Sequence, residues 1–180
     1  YKKRAGKDSV ANRLVDQHQF HKVSFADSLR EACRDIFGFD SYQLTGDKKE
    51  VVDPYWRQTP RELLQKVGTD ALRNIIDEDI WIKSAYKKIL DWNLEKIVIP
   101  DVRFPNEADW IHSVGGIVGR VDRPGLDENQ FSSHASEISM DDYSDWDFVI
   151  NNDGSLRSLY RKADAVIDSG QSRKDKYGRR

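Results

Sequence analysis

The length and composition of this sequence predict one globular domain and exclude several classes of protein. The chain has 180 residues, of which 38% are hydrophobic and 33% are charged, and no window approaches the roughly 18 consecutive apolar residues that a membrane-spanning helix needs. A net charge of −2 argues against a dedicated nucleic-acid-binding protein. The single cysteine, Cys33, excludes an internal disulfide and a multi-cysteine zinc site, and it fits a reducing compartment.

Helical and extended segments alternate along the chain. Apolar residues recur at helical spacing in six segments, which predict helices over 7–20, 28–37, 60–76, 79–92, 105–114 and 155–167. Short apolar runs between them predict strands over 23–26, 96–100, 117–121 and 147–150. This alternation predicts an α/β domain with a mostly parallel sheet and helices on both faces. Because ligands bind at the carboxyl ends of parallel strands, we expect the functional residues just after each apolar run.

A glycine and a lysine open the first predicted helix, in the segment Arg4-Ala5-Gly6-Lys7-Asp8-Ser9. This segment is similar to the phosphate-binding loop G-x-x-x-x-G-K-[ST], in which backbone N–H groups and the lysine bind phosphates at a helix N-terminus. Tyr1 stands at the position of the first glycine, and Asp8 stands at that of the Ser or Thr. The alternative is a solvated basic segment that leads into a capped helix.

An acidic residue and an arginine follow the predicted strand over 96–100. Asp101 would lie at the carboxyl end of this strand, where an Asp supports Mg²⁺ in phosphoryl-transfer enzymes. Arg103 is placed to bind a phosphate through two N–H groups. In the alternative, Asp101 is a turn residue. Glu107, in the first turn of the next predicted helix, is interpreted as a partner of the helix dipole.

Four polar residues recur every four positions along the predicted helix over 60–76 and form one stripe: Arg61, Gln65, Thr69 and Arg73. A face that serves only solubility usually alternates Glu and Lys, so this stripe favours substrate binding over a solvated surface. Trp81 offers a flat ring on which a base could stack, although a tryptophan is more often part of the core.

Two arginines and a long polar segment follow the third predicted strand. Arg120 and Arg123 end this strand, and the segment 125–146 is longer than an ordinary connection, which is typical of a lid. Glu137 lies within it. Asn152 lies in a turn after the last strand that is suited to backbone contacts with adenine, although such residues also serve simple turns.

These motifs together resemble the deoxynucleoside monophosphate kinases of bacteriophages, a branch of the P-loop nucleotide kinase superfamily. The resemblance is carried, in fixed order across residues 4–154, by Arg4-Ala5-Gly6-Lys7-Asp8-Ser9, Phe25-Ala26-Asp27-Ser28-Leu29, Pro60-Arg61-Glu62-Leu63-Leu64-Gln65, Gly68-Thr69, Asp101-Val102-Arg103-Phe104-Pro105-Asn106-Glu107, Gly115-Gly116 and His134-Ala135-Ser136-Glu137. It implies a three-layer P-loop kinase fold with a mostly parallel five-stranded sheet, whose first strand lies upstream of Tyr1. It also implies one kinase domain over 1–170, with an acceptor-binding region over about 27–84 and a lid over about 125–146, followed by a basic tail over 171–180.

The resemblance further implies an activity and a set of site residues. The enzyme would transfer the γ-phosphate of ATP, with Mg²⁺, to a deoxynucleoside monophosphate and so supply DNA precursors. The implied catalytic residues are Lys7, Asp8, Arg103 and Arg123. Those implied to bind ATP are Arg4, Ala5, Gly6, Lys7, Ser9, Arg120 and Asn152. Those implied to bind the acceptor are Arg61, Gln65, Thr69, Arg73, Trp81, Asp101, Arg103 and Glu137, and those implied to hold Mg²⁺ are Asp8, Ser9 and Asp101.

Two other functions remain open at this point. The chain could be another P-loop small-molecule kinase, acting on phosphomevalonate or on ribonucleotides, or a nucleotide-binding module without catalysis. We expect small-molecule partners, neither a membrane nor a nucleic acid, and a cytoplasmic location (the host cytoplasm for a phage-encoded protein). A homodimer is one alternative for the oligomeric state.

Overall fold

The computed structural model describes residues 4–125 and 134–177, with side chains as far as 169. Residues 126–133 of the predicted lid and the side chains of the predicted tail over 171–180 therefore lie outside the described residues. Within the described part, every helix is too short or too polar to span a bilayer.

Helices make up most of the described chain. The α-helices are α1 (Lys7–His18), α2 (Asp27–Phe37), α3 (Ser41–Leu44), α4 (Pro60–Gln65), α5 (Ile80–Asp91), α6 (Pro105–Ser113), α7 (Ala135–Ile138) and α8 (Leu156–Tyr177). A 3₁₀ turn (Asp47–Glu50) lies between α3 and α4, and a π-helix (Lys66–Ile76) continues α4.

Four short strands form two parallel pairs in the described residues. The first pair joins β1 (His21–Lys22) to β2 (Ile97–Val98), and the second joins β3 (Gly119–Asp122) to β4 (Phe148–Asn151). His21 lies opposite Ile97 in the first pair, and Val121 lies opposite Ile150 in the second. The prediction of an α/β protein with parallel strands is confirmed. The five-stranded sheet stays a prediction.

The first strand ends earlier than the segment predicted over 23–26. Val23 N still donates a hydrogen bond to the Val98 carbonyl at 3.1 Å. The backbone then leaves the strand pair, and Phe25 N donates to Asp101 Oδ1 at 3.0 Å instead. Val23 and Phe25 are buried because they pack in one cluster with residues of α5. The apolar run therefore indicated burial correctly and the strand boundaries wrongly.

Every predicted helix is present, and two of them differ in detail. The helix predicted over 60–76 is divided into α4 and the π-helix. A Cβ atom on Gly68 would lie 2.5 Å from Cδ2 of Leu29, so this glycine lets the π-helix approach α2 closely. The last helix reaches Tyr177, beyond the predicted end at 167. The sequence did not predict α3, the 3₁₀ turn or α7.

Helix α1 connects the two strand pairs. It packs against β1 and β2 and also against α8, which in turn packs against β4. Arg13 donates to both carboxylate oxygens of Asp164, at 3.1 and 2.9 Å, and His18 Nε2 lies 2.9 Å from one of them. The hydrogen bond from Arg13, and after it the one from His18, lowers the pKa of Asp164 to about 2. The second half of α1 is thereby fastened to α8.

A cluster of buried apolar side chains supports the predicted acceptor region. It joins α2, α3 and α4 through Leu29, Cys33, Phe39, Leu44, Leu63 and Leu64. Pro60 opens α4, and Thr59 caps it by accepting a hydrogen bond from Glu62 N while the Glu62 side chain accepts one from Thr59 N. The helix that carries Arg61 is therefore fixed at its first turn.

Candidate active site

The loop Arg4–Gly6, immediately before α1, has a backbone shape suited to an anion. Arg4 and Gly6 both have a left-handed backbone, with φ of 63° and 111°. Among the described residues no side chain caps the start of α1, and the start of a helix is where backbone N–H groups can bind an anion. Asn152 Nδ2 donates to the Ala5 carbonyl at 2.9 Å. This bond fixes the loop to the turn that follows β4.

Lys7 lies half-buried at the start of α1, beside residues from two other elements. Burial lowers the pKa of its ammonium group to about 8, and the Arg103 guanidinium acts in the same direction. The carboxylates of Asp8, Glu137 and Asp101 oppose this lowering of the pKa. Lys7 is therefore mostly protonated at neutral pH. Its electrostatic neighbours place the start of α1, the end of β2 and α7 around one site.

Asp101 follows β2 and fastens it to the turn after β1. Its Oδ1 accepts a hydrogen bond from Phe25 N at 3.0 Å, and its Oδ2 accepts one from Ala26 N at 3.1 Å and one from the Ser24 hydroxyl. Arg30 Nη2 donates to the same hydroxyl oxygen at 2.7 Å. A carboxylate has about four acceptor positions. The three bonds therefore orient Asp101 and leave it capacity for a further contact.

Glu137 of α7 joins two arginines that come from distant segments. It is 7% exposed, and its Oε1 lies 3.1 Å from Arg61 Nη1 and 2.9 Å from Arg103 Nη1. Arg103 also donates to the Ser136 carbonyl at 2.9 Å, and Arg61 Nε donates to Glu50 at 2.5 Å. We call Arg61, Arg103 and Glu137 the arginine cluster. Two guanidinium groups around one buried carboxylate are suited to bind a phosphate.

Glu107 lies beneath Arg103 and holds its backbone. Its Oε2 accepts hydrogen bonds from Arg103 N at 2.6 Å and from Phe104 N at 3.1 Å. Burial raises the pKa of this carboxyl to about 7, although the hydrogen bond from Arg103 opposes the shift. A buried carboxyl thus fixes the loop that carries Arg103. The sequence context of Glu107 predicts only a partner of the helix dipole, whereas the structure shows that it supports the loop of Arg103.

Comparison with other proteins shows which family this chain resembles. A family model described as deoxynucleotide monophosphate kinase matches residues 34–163. A protein of Acanthamoeba polyphaga mimivirus, which bears the provisional name deoxynucleotide monophosphate kinase, is 34% identical over 181 residues that cover 93% of each chain. The chain belongs to the deoxynucleotide monophosphate kinase family.

Phage members of this family match over shorter segments. The deoxynucleotide monophosphate kinase of Enterobacteria phage T4 is 30% identical over 132 residues, which are 72% of this chain and 53% of the phage protein. The deoxynucleoside-5′-monophosphate kinase of Escherichia phage T5 is 41% identical over 51 residues, which are 28% of this chain and 20% of the phage protein. The matched segments thus span about half or less of these phage relatives. The family assigned from the sequence motifs is confirmed.

In this member of the kinase family, the polar stripe of the predicted acceptor-binding region is buried or half-buried rather than solvated. Thr69 and Arg73 are 6% and 7% exposed, and Arg61 belongs to the arginine cluster. Gln65 has a buried Nε2 that donates to no group among the described residues. A buried donor without a partner costs about 1–3 kcal/mol. Gln65 is therefore suited to contact a ligand.

Arg73 and Trp81, also predicted to bind substrate, are engaged with the protein itself. Arg73 donates to Asn106 Oδ1 at 2.9 Å, and its guanidinium lies 3.8 Å from the centre of the Phe104 ring. Trp81 Nε1 donates to the Gly68 carbonyl at 2.9 Å, and its ring packs against two core clusters. Both side chains hold the π-helix to its neighbours. Their contact with substrate stays a prediction.

Asp8 and Ser9, predicted to hold Mg²⁺, lie in the first turn of α1. Asp8 is exposed and pairs with Lys22 Nζ at 3.1 Å, and Ser9 is half-buried. No group of three or more His, Cys, Asp or Glu residues suited to a metal ion is found in the described chain. Mg²⁺ is usually held by one or two carboxylates together with substrate phosphates. An exposed carboxylate beside the loop Arg4–Gly6 therefore fits this ion.

The two arginines after the third strand are placed differently from each other. Arg123 Nη1 lies 3.5 Å from the Arg4 carbonyl, which brings Arg123 next to the loop Arg4–Gly6. Arg120 Nε pairs with Asp122 at 2.5 Å and thus stays on its own strand. Of the two, the structure brings Arg123 to the site.

Two basic residues that the sequence analysis did not single out lie beside the arginine cluster. They are Lys49 of the 3₁₀ turn, which is half-buried, and Arg30 of α2. Burial lowers the pKa of Lys49 to about 8, and the charges of Arg61, Arg103 and Arg30 act in the same direction. The four side chains come from four separate segments. No sequence motif contains Lys49 or Arg30, so only the fold shows that they lie beside Arg61 and Arg103.

Proposed function

We propose that this chain transfers the γ-phosphate of ATP to deoxynucleoside monophosphates, producing ADP and deoxynucleoside diphosphates. The observation that carries the proposal is the position of Lys7, at the start of α1, within electrostatic reach of Arg103 and Glu137. A loop suited to donor phosphates and an arginine cluster suited to an acceptor phosphate thus face one site. Membership of the deoxynucleotide monophosphate kinase family supports the same chemistry.

On the donor side, the loop Arg4–Gly6 and Lys7 bind the phosphates of ATP. The N–H groups at the start of α1 add the positive end of the helix dipole. Asp8, Ser9 and Asp101 would hold Mg²⁺. When bound, Mg²⁺ neutralises charge on the phosphates of the donor. Arg123, next to the loop, adds a further positive charge there.

On the acceptor side, Arg61 and Arg103 bind the phosphate of the deoxynucleotide. An oxygen of this phosphate attacks the γ-phosphorus, while the bond from that phosphorus to the bridging oxygen breaks and ADP leaves with the electron pair. The acceptor phosphate supplies its own negatively charged nucleophile, so the enzyme mainly positions the two substrates and neutralises charge. Gln65 and Thr69, both on the buried stripe, contact the sugar or base.

We also propose that both strand pairs belong to one five-stranded parallel sheet of a three-layer P-loop kinase fold. The support is that α1 packs against β1 and β2 and against α8, while α8 packs against β4. One helix pair therefore spans both strand pairs.

The proposed partners are two nucleotides, and the proposed location is the cytoplasm. Both substrates are intracellular metabolites. Cys33 is buried and carries a free thiol, which fits a reducing compartment.

The reaction is tested by an acceptor panel. The protein is incubated with ATP and Mg²⁺ and with each deoxynucleoside monophosphate, each ribonucleoside monophosphate and phosphomevalonate, and the phosphorylated products are separated by ion-exchange chromatography. We expect diphosphate formation from at least one deoxynucleotide, with a higher kcat/KM than from any ribonucleotide or phosphomevalonate. Tight ATP binding without transfer to any acceptor would instead indicate a non-catalytic nucleotide-binding module.

Replacing Gly6 by alanine is predicted to weaken ATP binding by the loop Arg4–Gly6. A Cβ atom at residue 6 would lie 2.7 Å from Asn152 Nδ2, and the φ of 111° disfavours any other residue there. The strain costs about 1–3 kcal/mol, and the loop shifts to relieve the contact. We therefore expect the KM for ATP to rise by about tenfold or more, while the KM for the deoxynucleotide changes little.

Gly38→Ala is the matched control for this prediction. Gly38 also has a positive φ, of 71°, but a Cβ atom there meets nothing within 4 Å, and it lies outside the proposed site at the end of α2. Both variants should lose thermal stability, and only Gly6→Ala should change the KM for ATP. An unchanged KM in Gly6→Ala would contradict the role of this loop.

A further inference from the structure

We propose that Lys49 binds the phosphate group of the acceptor nucleotide, as a third cation beside Arg61 and Arg103. This inference rests on the proposed function and adds a phosphate-binding residue that none of the sequence motifs includes.

The 3₁₀ turn that carries Lys49 is fastened to the arginine cluster. Glu50, the next residue, accepts a hydrogen bond from Arg61 Nε at 2.5 Å, and the turn is closed by a bond from Val51 N to the Lys48 carbonyl at 3.1 Å. The turn also packs against α4, which carries Arg61. Lys49 is therefore held half-buried next to the cluster rather than extended into solvent.

The charges around Lys49 are mostly of its own sign. Arg61, Arg103 and Arg30 all disfavour its protonated form, and Glu137 opposes them. Arg30 pairs with Asp27 at 2.8 Å, and Glu137 already pairs with both arginines of the cluster. Among the described residues, the ammonium group of Lys49 forms no ion pair or hydrogen bond. A further anion bound beside Lys49 would therefore stabilise its protonated ammonium group.

A phosphate dianion matches this arrangement in charge and in geometry. A phosphate monoester carries close to two negative charges at neutral pH and three acceptor oxygens. Arginines bind it through planar pairs of N–H groups, and a lysine complements them as a compact point charge. The acceptor phosphate, rather than ATP, is the expected partner because Lys49 and Arg61 both belong to the acceptor region, whereas the loop Arg4–Gly6 supplies the donor contacts.

The experiment compares Lys49→Met with Lys48→Met. Lys48 is the exposed neighbour of Lys49 and lies 5.8 Å from the centre of the Tyr42 ring, so it serves as a control with the same change of charge. For Lys49→Met we expect the KM of the best acceptor deoxynucleotide in the panel to rise by about 10- to 100-fold, the factor for one lost charge-assisted hydrogen bond. The KM for ATP should change by less than about threefold, and Lys48→Met should leave both values unchanged.

Two further measurements separate phosphate binding from a structural role. First, calorimetric titration without ATP should show weaker binding of the deoxynucleoside monophosphate to Lys49→Met, while inhibition by the deoxynucleoside that lacks the phosphate is unchanged. Second, Lys49→Arg should keep much of the affinity and should keep it above pH 8, where the wild-type protein loses affinity as Lys49 deprotonates. Equal loss of nucleoside and nucleotide binding, or a larger effect on the KM for ATP, would overturn the proposal.

These outcomes are distinguishable from failure of the proposed function. A wild-type protein that phosphorylates no deoxynucleotide contradicts the proposed reaction. An active wild-type protein whose acceptor KM is unaffected by Lys49→Met contradicts the role of Lys49 and leaves the reaction in place. Far-UV circular dichroism and the melting temperature confirm that each variant is folded.

Discussion

Replacing Lys7 by alanine is expected to lower kcat by about 10²- to 10³-fold, the loss that follows removal of one preorganised electrostatic donor. Lys7 is half-buried between the loop Arg4–Gly6 and the arginine cluster, and its neighbours include Arg103 and Asp101. A cation in this position stabilises the charge on the γ-phosphate as it moves from donor to acceptor. Steady-state kinetics with ATP and the best acceptor measure the effect.

The pH dependence of kcat/KM for ATP provides a second test of the role of Lys7. Its pKa is lowered to about 8, so the charged form is present below this pH and is lost as the pH rises through it. In the wild-type enzyme, kcat/KM for ATP should therefore fall above about pH 8.

Lys87→Ala is the control for the Lys7→Ala variant, since Lys87 is an exposed residue of α5 that pairs with Asp91. Wild-type turnover in Lys7→Ala would refute the assignment of the donor loop.

Arg103→Ala is expected to have an effect of similar size, a decrease in kcat of about 10³-fold, the lower end of what an arginine contributes to phosphoryl transfer. Arg103 pairs with Glu137 and donates to the Ser136 carbonyl, while Glu107 fixes its backbone. These contacts already orient the Arg103 guanidinium, so little conformational entropy is lost when it binds the phosphates of donor and acceptor. Removing it also leaves the buried Glu137 with one partner fewer.

The conservative variant Arg103→Lys separates charge from geometry. A lysine keeps the charge but lacks the planar set of N–H donors needed to bind Glu137, the Ser136 carbonyl and a phosphate together. We expect Arg103→Lys to recover only a small part of the lost kcat. Arg34→Ala is the control, because Arg34 is exposed on α2. Full recovery in Arg103→Lys would show that a point charge is sufficient at this position.

Much of the site could be predicted because its residues directly follow regular elements. Lys7 opens an amphipathic helix, and Asp101 and Arg103 follow an apolar run, so the rule that ligands bind at the ends of parallel strands located them. The family resemblance, rather than a local pattern, predicted a site role for Glu137. In the structure Glu137 pairs with Arg61 and Arg103, which come from distant segments.

The features that sequence reasoning missed depend on contacts between distant segments. Lys49 lies in a short 3₁₀ turn without apolar periodicity, and Glu107 has the sequence context of an ordinary residue in a first helical turn. Burial distinguishes both of them, and burial arises only when other segments pack over them. The π-helix was missed for a related reason: spacings of four fit an α-helix and a π-helix about equally well.

The central claim, that the loop before α1 and the arginine cluster serve one reaction, is tested most directly with a bisubstrate analogue. The analogue joins adenosine to the deoxynucleoside of the best acceptor through five phosphates, so both of its halves can bind at once only where donor and acceptor phosphates meet. We predict that it inhibits competitively against both ATP and the deoxynucleotide, and that Lys7→Ala and Arg61→Ala each weaken it. Competition with one substrate alone would show that the two groups of residues belong to separate sites.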